Sequence, residues 1–403
     1  MATLTGLPTA TAHLKPRKAR PFYYRHPWVF SGAIDRVDGE WTDGDLVRLC
    51  DDKGQFIATG YINAQSQIMI RLLSWEPDRE IDEGFFRDKL LKARSLREEL
   101  LAVQTGSNAY RLFYGDSDGI PGLIVDRYAD FLVAQIQTLG MHVRREMIIG
   151  LLNDIFRPAG IYEKSDPEML QREGVAYQPG AVSGAEPPEL VRIESDSILF
   201  DVAIRSGQKT GFFLDQRENR KAAASFASEA RVLDCFCHTG AFALYAAKLG
   251  HARSVLGIDS SAAAVDLARH NAEINGLGNA EFRAGKLPDE IKALRDQGQL
   301  FDLVILDPPQ FARSKAGLKK AVFAYRELNA QSLRCIVPGG VLVTCSCSQH
   351  LSEPEFEETL SEAAFEAGRT VQVVEHRSQS PDHPVIVSCP QTRYLKCLVC
   401  RVL

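Results

Sequence analysis

Two segments hold the residues best able to do chemistry: Phe301-Asp-Leu-Val-Ile-Leu-Asp-Pro-Pro309 and Pro338-Gly-Gly-Val-Leu-Val-Thr-Cys-Ser-Cys-Ser348. Each reads as an apolar strand that stops at polar or rigid residues. In an open parallel sheet, ligands bind at the C-terminal ends of strands, so Asp307 and the pair Cys345/Cys347 would share one mouth. A carboxylate beside a thiol, next to a nucleotide-type cofactor, suits methylation at C5 of a pyrimidine. The thiolate adds to C6 and makes C5 nucleophilic; a base then removes the C5 proton and the thiol leaves. Such a thiol needs cations or N–H groups nearby to lower its pKa, and Arg313, Lys315 and Lys319 follow Pro309 as candidates. Cys347, between Ser346 and Ser348 where the strand stops, is the expected nucleophile. Cys345 follows Val343 and Thr344 inside the strand and reads as a buried small hydrophobe. Pro308 and Pro309 lock φ after Asp307, which orients a carboxylate able to accept from a cytosine amine.

A cofactor site is legible upstream. Ala230-Arg-Val-Leu-Asp-Cys-Phe-Cys-His-Thr-Gly-Ala-Phe-Ala-Leu-Tyr-Ala-Ala247 reads as strand, tight loop and helix. Asp234 ends that strand, and Gly240 lets the backbone come close to a ligand. The next strand, Ser254-Val-Leu-Gly-Ile-Asp259, ends in an acid placed to accept ribose hydroxyls. One loop glycine is too few for the N–H-rich cradle that a pyrophosphate wants. An adenosyl group carried on an amino acid needs acids instead, so Asp234 and Asp259 favour S-adenosylmethionine over a nicotinamide dinucleotide. Phe236, Thr239, Gly240 and Ser260 belong to the same expected site. Lys209, Asp215, Gln216 and Arg217, in a polar stretch around Phe212-Phe213-Leu214, are further candidates for its carboxylate or ammonium.

These strands alternate with helices from about residue 188, the pattern of an α/β parallel sheet. Residues 1–75 read as a small β-rich domain, with strands over Trp28–Ile34, Asp45–Cys50, Phe56–Ile62 and Ile68–Leu73. Residues 76–187 read as a central α/β domain, with helices over Glu83–Leu101 and His142–Phe156 and strands over Tyr110–Tyr114, Gly122–Asp126 and Phe131–Ile136. The turn cluster Gly115–Gly119 lacks the bidentate Glu of a calcium loop. A chain of 403 residues suits two or three domains. Its 45% hydrophobic and 25% charged content is that of an ordinary globular protein. No apolar run is long enough for a bilayer, and Met1–Ala12 is small and polar without a signal core, so a cytoplasmic location with no membrane partner is expected. Nine cysteines, an odd number, argue against a disulfide framework. Their Cys-x-Cys spacings and the Cys397/Cys400 pair on a strand do not make a zinc site, and no metal is expected.

The net charge of −5 leaves nucleic-acid binding to local patches. One exists: Lys15, Arg17, Lys18, Arg20 and Arg25 precede the first acid, Asp35, with Phe22, Tyr23, Tyr24 and Trp28 interleaved. Cations neutralise phosphates and aromatic faces accept bases; a solvated arm followed by core aromatics reads equally well.

Taken together, the chain resembles the bacterial large-subunit ribosomal RNA cytosine-5 methyltransferases with an N-terminal PUA domain. The matching stretches are Arg25–Ile34, Gln208–Arg220, Leu233–Gly240, Leu306–Pro309, Thr344–Ser348 and Asp382–Pro384. The resemblance implies a small β-barrel PUA domain, a central RNA-holding α/β domain and a Rossmann-like class I methyltransferase domain. It also implies that the basic-aromatic face binds RNA and that Cys347 is catalytic, with Asp307 orienting the base. There are departures. Gln310 replaces a Lys after the prolines, and His238 an aromatic Tyr. Lys286 stands where an acid would meet the adenine amine, with Asp289 three residues on.

Two rivals remain at this point. Asp-Pro-Pro followed by Phe311 also suits methylation of a guanine or adenine nitrogen, which needs no thiol. A ribosome-assembly factor with little cofactor affinity is the other, and Lys286 is the feature behind it. The base for the C5 proton is open; His383 is a candidate, although it also reads as a structural turn residue. Oligomeric state is open, a homodimer included.

Overall fold

The computed structural model describes residues 6–104, 106–311 and 315–403. Arg313, one of the expected cations, lies outside the described residues. The chain forms two compact units. One comprises residues up to Ile193 with Val202–Leu214 and Pro381–Thr392; the other comprises Glu194–Asp201, Asp215–Ser380 and Arg393–Leu403.

In the first unit a six-stranded sheet runs in the order Trp28–Val29, Ile70–Ser74, Phe56–Ile62, Leu46–Cys50, Ala10–Leu14, Ile34–Asp38. Its two edge strands are pieces of one stretch, divided by a 3₁₀ turn at Ser31–Ala33. So short a link draws the two edges together and curls the sheet around Ala12, Leu14, Val29, Leu49, Ile62 and Leu72. The single strand expected over Trp28–Ile34 is therefore two, because the chain turns at Ser31-Gly32. Ala10–Leu14 is an inner strand despite lying in a small, polar terminus. Burial of Ala10, Ala12 and Leu14 on one face is enough.

A five-stranded sheet follows in the order Gly180–Gly184, Gly160–Glu163, Phe131–Ile136, Leu123–Tyr128, Ala109–Tyr114. Helices Glu83–Gln104 and Arg145–Phe156 pack on it, and Leu46, Tyr61 and Leu73 of the first sheet join the same core. The helix expected over His142–Phe156 breaks into Leu139–His142 and Arg145–Phe156. At the break, buried Arg144 donates to Gly140 O (2.6 Å) and Gly44 O (2.9 Å). Asp116 and Asp118, in the Gly115–Gly119 cluster, are engaged by Trp28 Nε1 (2.7 Å) and by both Nη atoms of Arg97 (2.7 and 2.8 Å).

The two later stretches are pinned within this unit. Asp126 holds Arg111 with both oxygens (2.8 and 2.9 Å) and accepts from Thr210 Oγ1 (2.7 Å). Tyr128 OH accepts from Phe212 N (3.1 Å). Lys164 Nζ donates to the carbonyls of Ile204 (2.8 Å) and Gly207 (2.5 Å). Asp382 Oδ2 accepts from Arg111 N (2.9 Å), and its carbonyl accepts from Arg97 (2.9 Å).

The second unit is built on a seven-stranded sheet: Ala280–Ala284, Ser254–Asp259, Arg231–Cys235, Phe301–Leu306, Ile336–Ser346, Lys396–Val402, Val371–Arg377. Numbered along the chain, the order is 3-2-1-4-5-7-6. The first five strands are parallel, and Lys396–Val402 is antiparallel to both neighbours. Helices Ala241–Lys248, Ala262–Ile274, Leu287–Asp296 and Leu318–Leu333 make the crossovers. Strand order reverses between Arg231–Cys235 and Phe301–Leu306, which opens a crevice at their carboxyl ends. A hairpin of Val191–Ser195 and Ile198–Val202 turns at Asp196-Ser197, both with positive φ (52° and 65°), as a tight two-residue turn requires. No helix among the described residues is long and apolar enough to cross a membrane.

Removing the Asp126 carboxylate takes its charge-assisted pair from the buried Arg111 guanidinium and one of two bonds from the Thr210 hydroxyl, which keeps Tyr128 OH (2.8 Å). Asp126→Ala should cost about 3–5 kcal/mol, against about 1 kcal/mol for Thr210→Val. Urea unfolding checks this, and a larger effect from Thr210→Val would contradict it.

Candidate active site

The crevice is lined by acids. Asp234 pairs with Ile305, and Cys235 with Leu306, so Asp234 and Asp307 close neighbouring strands. Asp307 N donates to Cys235 O (3.5 Å). Asp234 is 1% exposed. Its Oδ2 accepts from Ala243 N (2.9 Å), while Oδ1 has no hydrogen-bond partner. Burial pushes its pKa well above the usual carboxylate range, and Asp307 and Asp259 add repulsion. The Ala243 amide and Arg220 oppose the shift. Arg220, on helix Arg217–Ala224, is itself buried and feels Asp215, Asp307 and Asp234; its guanidinium lies 5.8 Å from the Phe242 ring centre. A buried, unmatched carboxylate oxygen costs about 1–3 kcal/mol and is suited to receive an ammonium.

The loop between Cys235 and Ala241 is shaped for close approach. Phe236, His238 and Gly240 are all left-handed (φ 62°, 48° and 82°), a conformation that costs a non-glycine residue about 1–2 kcal/mol. A Cβ on Gly240 would meet Leu244 and Phe282 at 3.0 Å. Asp259 secures the loop: its oxygens accept from His238 N (3.0 Å) and Ser261 N (2.9 Å). Asn271 holds Thr239 O (3.2 Å). Burial lowers the His238 pKa, so the ring is neutral.

The structure gathers Asp215, Gln216, Arg217, Asp234, Phe236, Thr239, Gly240, Asp259 and Asp307 in the second unit. Asp215 Oδ2 accepts from Tyr394 OH (2.6 Å), Gln216 Oε1 from Asn219 (2.6 Å), and Arg217 Nε reaches Glu218 (3.1 Å). Ser260 is exposed just past its strand, and Asp289 is exposed in the first turn of Leu287–Asp296, after the N-cap Lys286. Lys209 belongs to the first unit, exposed, with its ammonium 4.6 Å from the Phe213 ring centre. His383 is also in the first unit, 2% exposed and packed against Tyr114 at 5.8 Å. It is built into a turn, as a structural histidine would be.

The thiols divide sharply. Of nine free cysteines, eight are buried and Cys347 alone is half-buried. Cys345 lies opposite Cys397 in the sheet. A hydrogen bond with Cys397, and then burial, raise its pKa well above that of an ordinary thiol. Leu306 pairs with Thr344, which sets Cys347 just beyond the level of Asp307. Phe311, which the amino-group reading would set against a base, packs on Tyr325 (4.9 Å) and is half-buried. Arg220 and Lys396 are the residues that sequence reasoning missed. The signal for Arg220 was its helical spacing from Arg217; for Lys396, a lone amine in an apolar strand.

In the first unit, Lys15, Arg17, Lys18, Arg20 and Arg25 are all exposed. Phe22 is a core residue, and Trp28 is half-buried with its indole N–H spent on Asp116. The aromatic faces open to a base are instead Tyr23, Tyr24 and Phe30, at 46%, 67% and 48% exposure.

Residues 170–401 match the S-adenosylmethionine-dependent methyltransferase family, and residues 12–75 match the PUA-like domain. The chain belongs to that methyltransferase family. Its similar proteins include "Ribosomal RNA large subunit methyltransferase I" of Aeromonas salmonicida, 41% identical and covering 94% of this chain and 95% of that one. The protein of the same name from Photobacterium profundum is 40% identical over 98% and 100%. A SAM-dependent methyltransferase structure from Streptococcus mutans aligns with a TM-score of 0.83 at 22% identity, covering 97% of this chain and 99% of that one. A methyltransferase complexed with SAH aligns at 0.84, with the same identity and coverage. These structures share the fold. The methyltransferase uses S-adenosylmethionine.

Asp234→Asn removes a costly buried charge together with an ammonium partner. The variant should be at least as stable as the parent and should bind S-adenosylmethionine about 10–100-fold more weakly. Calorimetric titration beside thermal melting checks both halves.

Proposed function

We propose that this methyltransferase forms 5-methylcytosine in large-subunit ribosomal RNA, through a covalent adduct of Cys347 at C6. The observation that carries this reading is Cys347, the one cysteine of nine that is not fully buried, just past the carboxyl end of the strand beside that of Asp307. The named relatives support large-subunit ribosomal RNA as the substrate class. Such work belongs to the cytoplasm, where that RNA is assembled.

The target cytosine leaves its stack to enter the crevice. Asp307 accepts from its exocyclic amine and fixes the ring. The Cys347 thiolate forms an S–C6 bond, and the ring electrons move to C5. Bound S-adenosylmethionine supplies an electrophilic methyl group for that carbon. Loss of the C5 proton to a base and cleavage of the S–C6 bond return the thiol. Asp234, Asp259 and Arg220 hold the cofactor end of the crevice, with Asp215, Gln216 and Arg217 on the adjoining helix. The exposed cations from Lys15 to Arg25, with Tyr23, Tyr24 and Phe30, hold RNA.

The test is methyl transfer from labelled S-adenosylmethionine to unmodified ribosomal RNA. Cys347→Ala should lose at least about 10³-fold, whereas Cys345→Ala keeps most activity. Label persisting on a base nitrogen in the Cys347 variant sinks the thiol mechanism. Separately, joint reversal of Arg17, Lys18 and Arg20 to Glu should weaken RNA binding. Its salt slope should flatten by about 0.7–0.9 for each phosphate no longer neutralised.

A further inference from the structure

Lys396 is a charged residue in a place that disfavours charge. It is 7% exposed, begins the strand Lys396–Val402 and lies directly opposite Ser346. Its Nζ donates to Ser348 O (2.7 Å) and Leu351 O (2.9 Å). Those carbonyls bracket the turn at 349–350 that follows Cys347. Two of the three ammonium hydrogens are thus spent on this turn, and a third remains.

The charged and titratable groups that face it are few. Cys347, Glu353 and Glu355 are the groups whose negative charge favours its protonated form. Glu355 is engaged by Ser352, accepting from its N (2.8 Å) and Oγ (2.6 Å). Glu353 is 3.2 Å from His376 Nδ1. Tyr325 bonds Ser348 Oγ (3.1 Å) and feels both Cys347 and Asp307; burial pushes its phenol up to about 12, so it stays neutral. Of the cations expected from sequence, Lys319 is exposed, and a solvated charge acts through a far higher dielectric than a buried one.

We infer that Lys396 is the positioning residue that turns Cys347 into a thiolate, fixing the turn that directly follows the sulfur-bearing residue and supplying the charge against which it ionises. This rests on Cys347 as the nucleophile. Burial brings the Lys396 pKa down to about 8, so the ammonium persists at neutral pH. Above that value it loses its proton, and the thiolate loses its counter-charge.

The experiment is alkylation of the full-length protein by iodoacetamide across pH 5.5–9.5, with Cys347 followed by peptide mass spectrometry. Wild type, Lys396→Met, Lys396→Gln and Lys396→Arg are compared, each checked for fold by circular dichroism. Gln retains a donor for the carbonyls without the charge, so it also serves where Met fails to fold. Met and Gln should raise the Cys347 midpoint by about one pH unit or more, a tenfold loss of rate near pH 7. Arg should restore much of it. Cys347 reactivity unchanged in folded Met or Gln variants overturns the inference, even where methyl transfer falls. Methyl transfer surviving in Cys347→Ala would instead remove the nucleophile reading and leave the alkylation result standing.

Discussion

A carboxylate that cannot be fully hydrated sets the terms for the second unit. Asp234 ends the first strand of the parallel sheet under nearly complete burial, with one oxygen bound by a helix amide. The neighbouring acids cannot move away, because the sheet register fixes where each strand ends. The surrounding features answer this charge. A guanidinium is buried beside it at Arg220, and the left-handed loop is tied to Asp259 by its amides. The fold alone satisfies the acid only in part, with one oxygen bonded and the other left open.

Two strands along, the same sheet gives two thiols opposite characters. Cys345 and Cys347 are two residues apart and would share a face if the strand continued. It stops at Ser346. Cys345 stays in the ladder, facing Cys397 within a closed core, and its proton is held tightly. Cys347 falls just past the ladder, half-buried, with Lys396 bonded to the next residue's carbonyl. The contrast in burial is decided by where the ladder ends rather than by residue type.

Much of this was legible from the sequence. Apolar runs ending in Asp234, Asp259 and Asp307 marked the carboxyl edge of the sheet, since buried parallel strands are continuously apolar. The rest depended on packing. Ala10–Leu14 hides because three small or apolar residues suffice for an inner strand once both neighbours exist. Gly160–Glu163 is four residues long and bounded by glycine, too short for a period to show. Arg220 is buried because its helix turns that face inward, which a run of charged residues does not show. Trp28 read as an open aromatic, but Asp116, 88 residues later, claims its N–H. Partners so distant in sequence leave no local pattern.

The pins on Asp382 bear on how the chain is made. Arg111 N binds a carboxylate 271 residues further along, and Arg97 a carbonyl 285 residues further. A ribosome delivers these partners in order, at about 5–20 residues per second. Both arginine-bearing elements therefore leave the exit tunnel tens of seconds before the segment that completes them. The first unit to begin folding is completed late, and the nascent chain must carry it incomplete while six of the seven strands of the second unit's sheet, up to Val371–Arg377, are being synthesised.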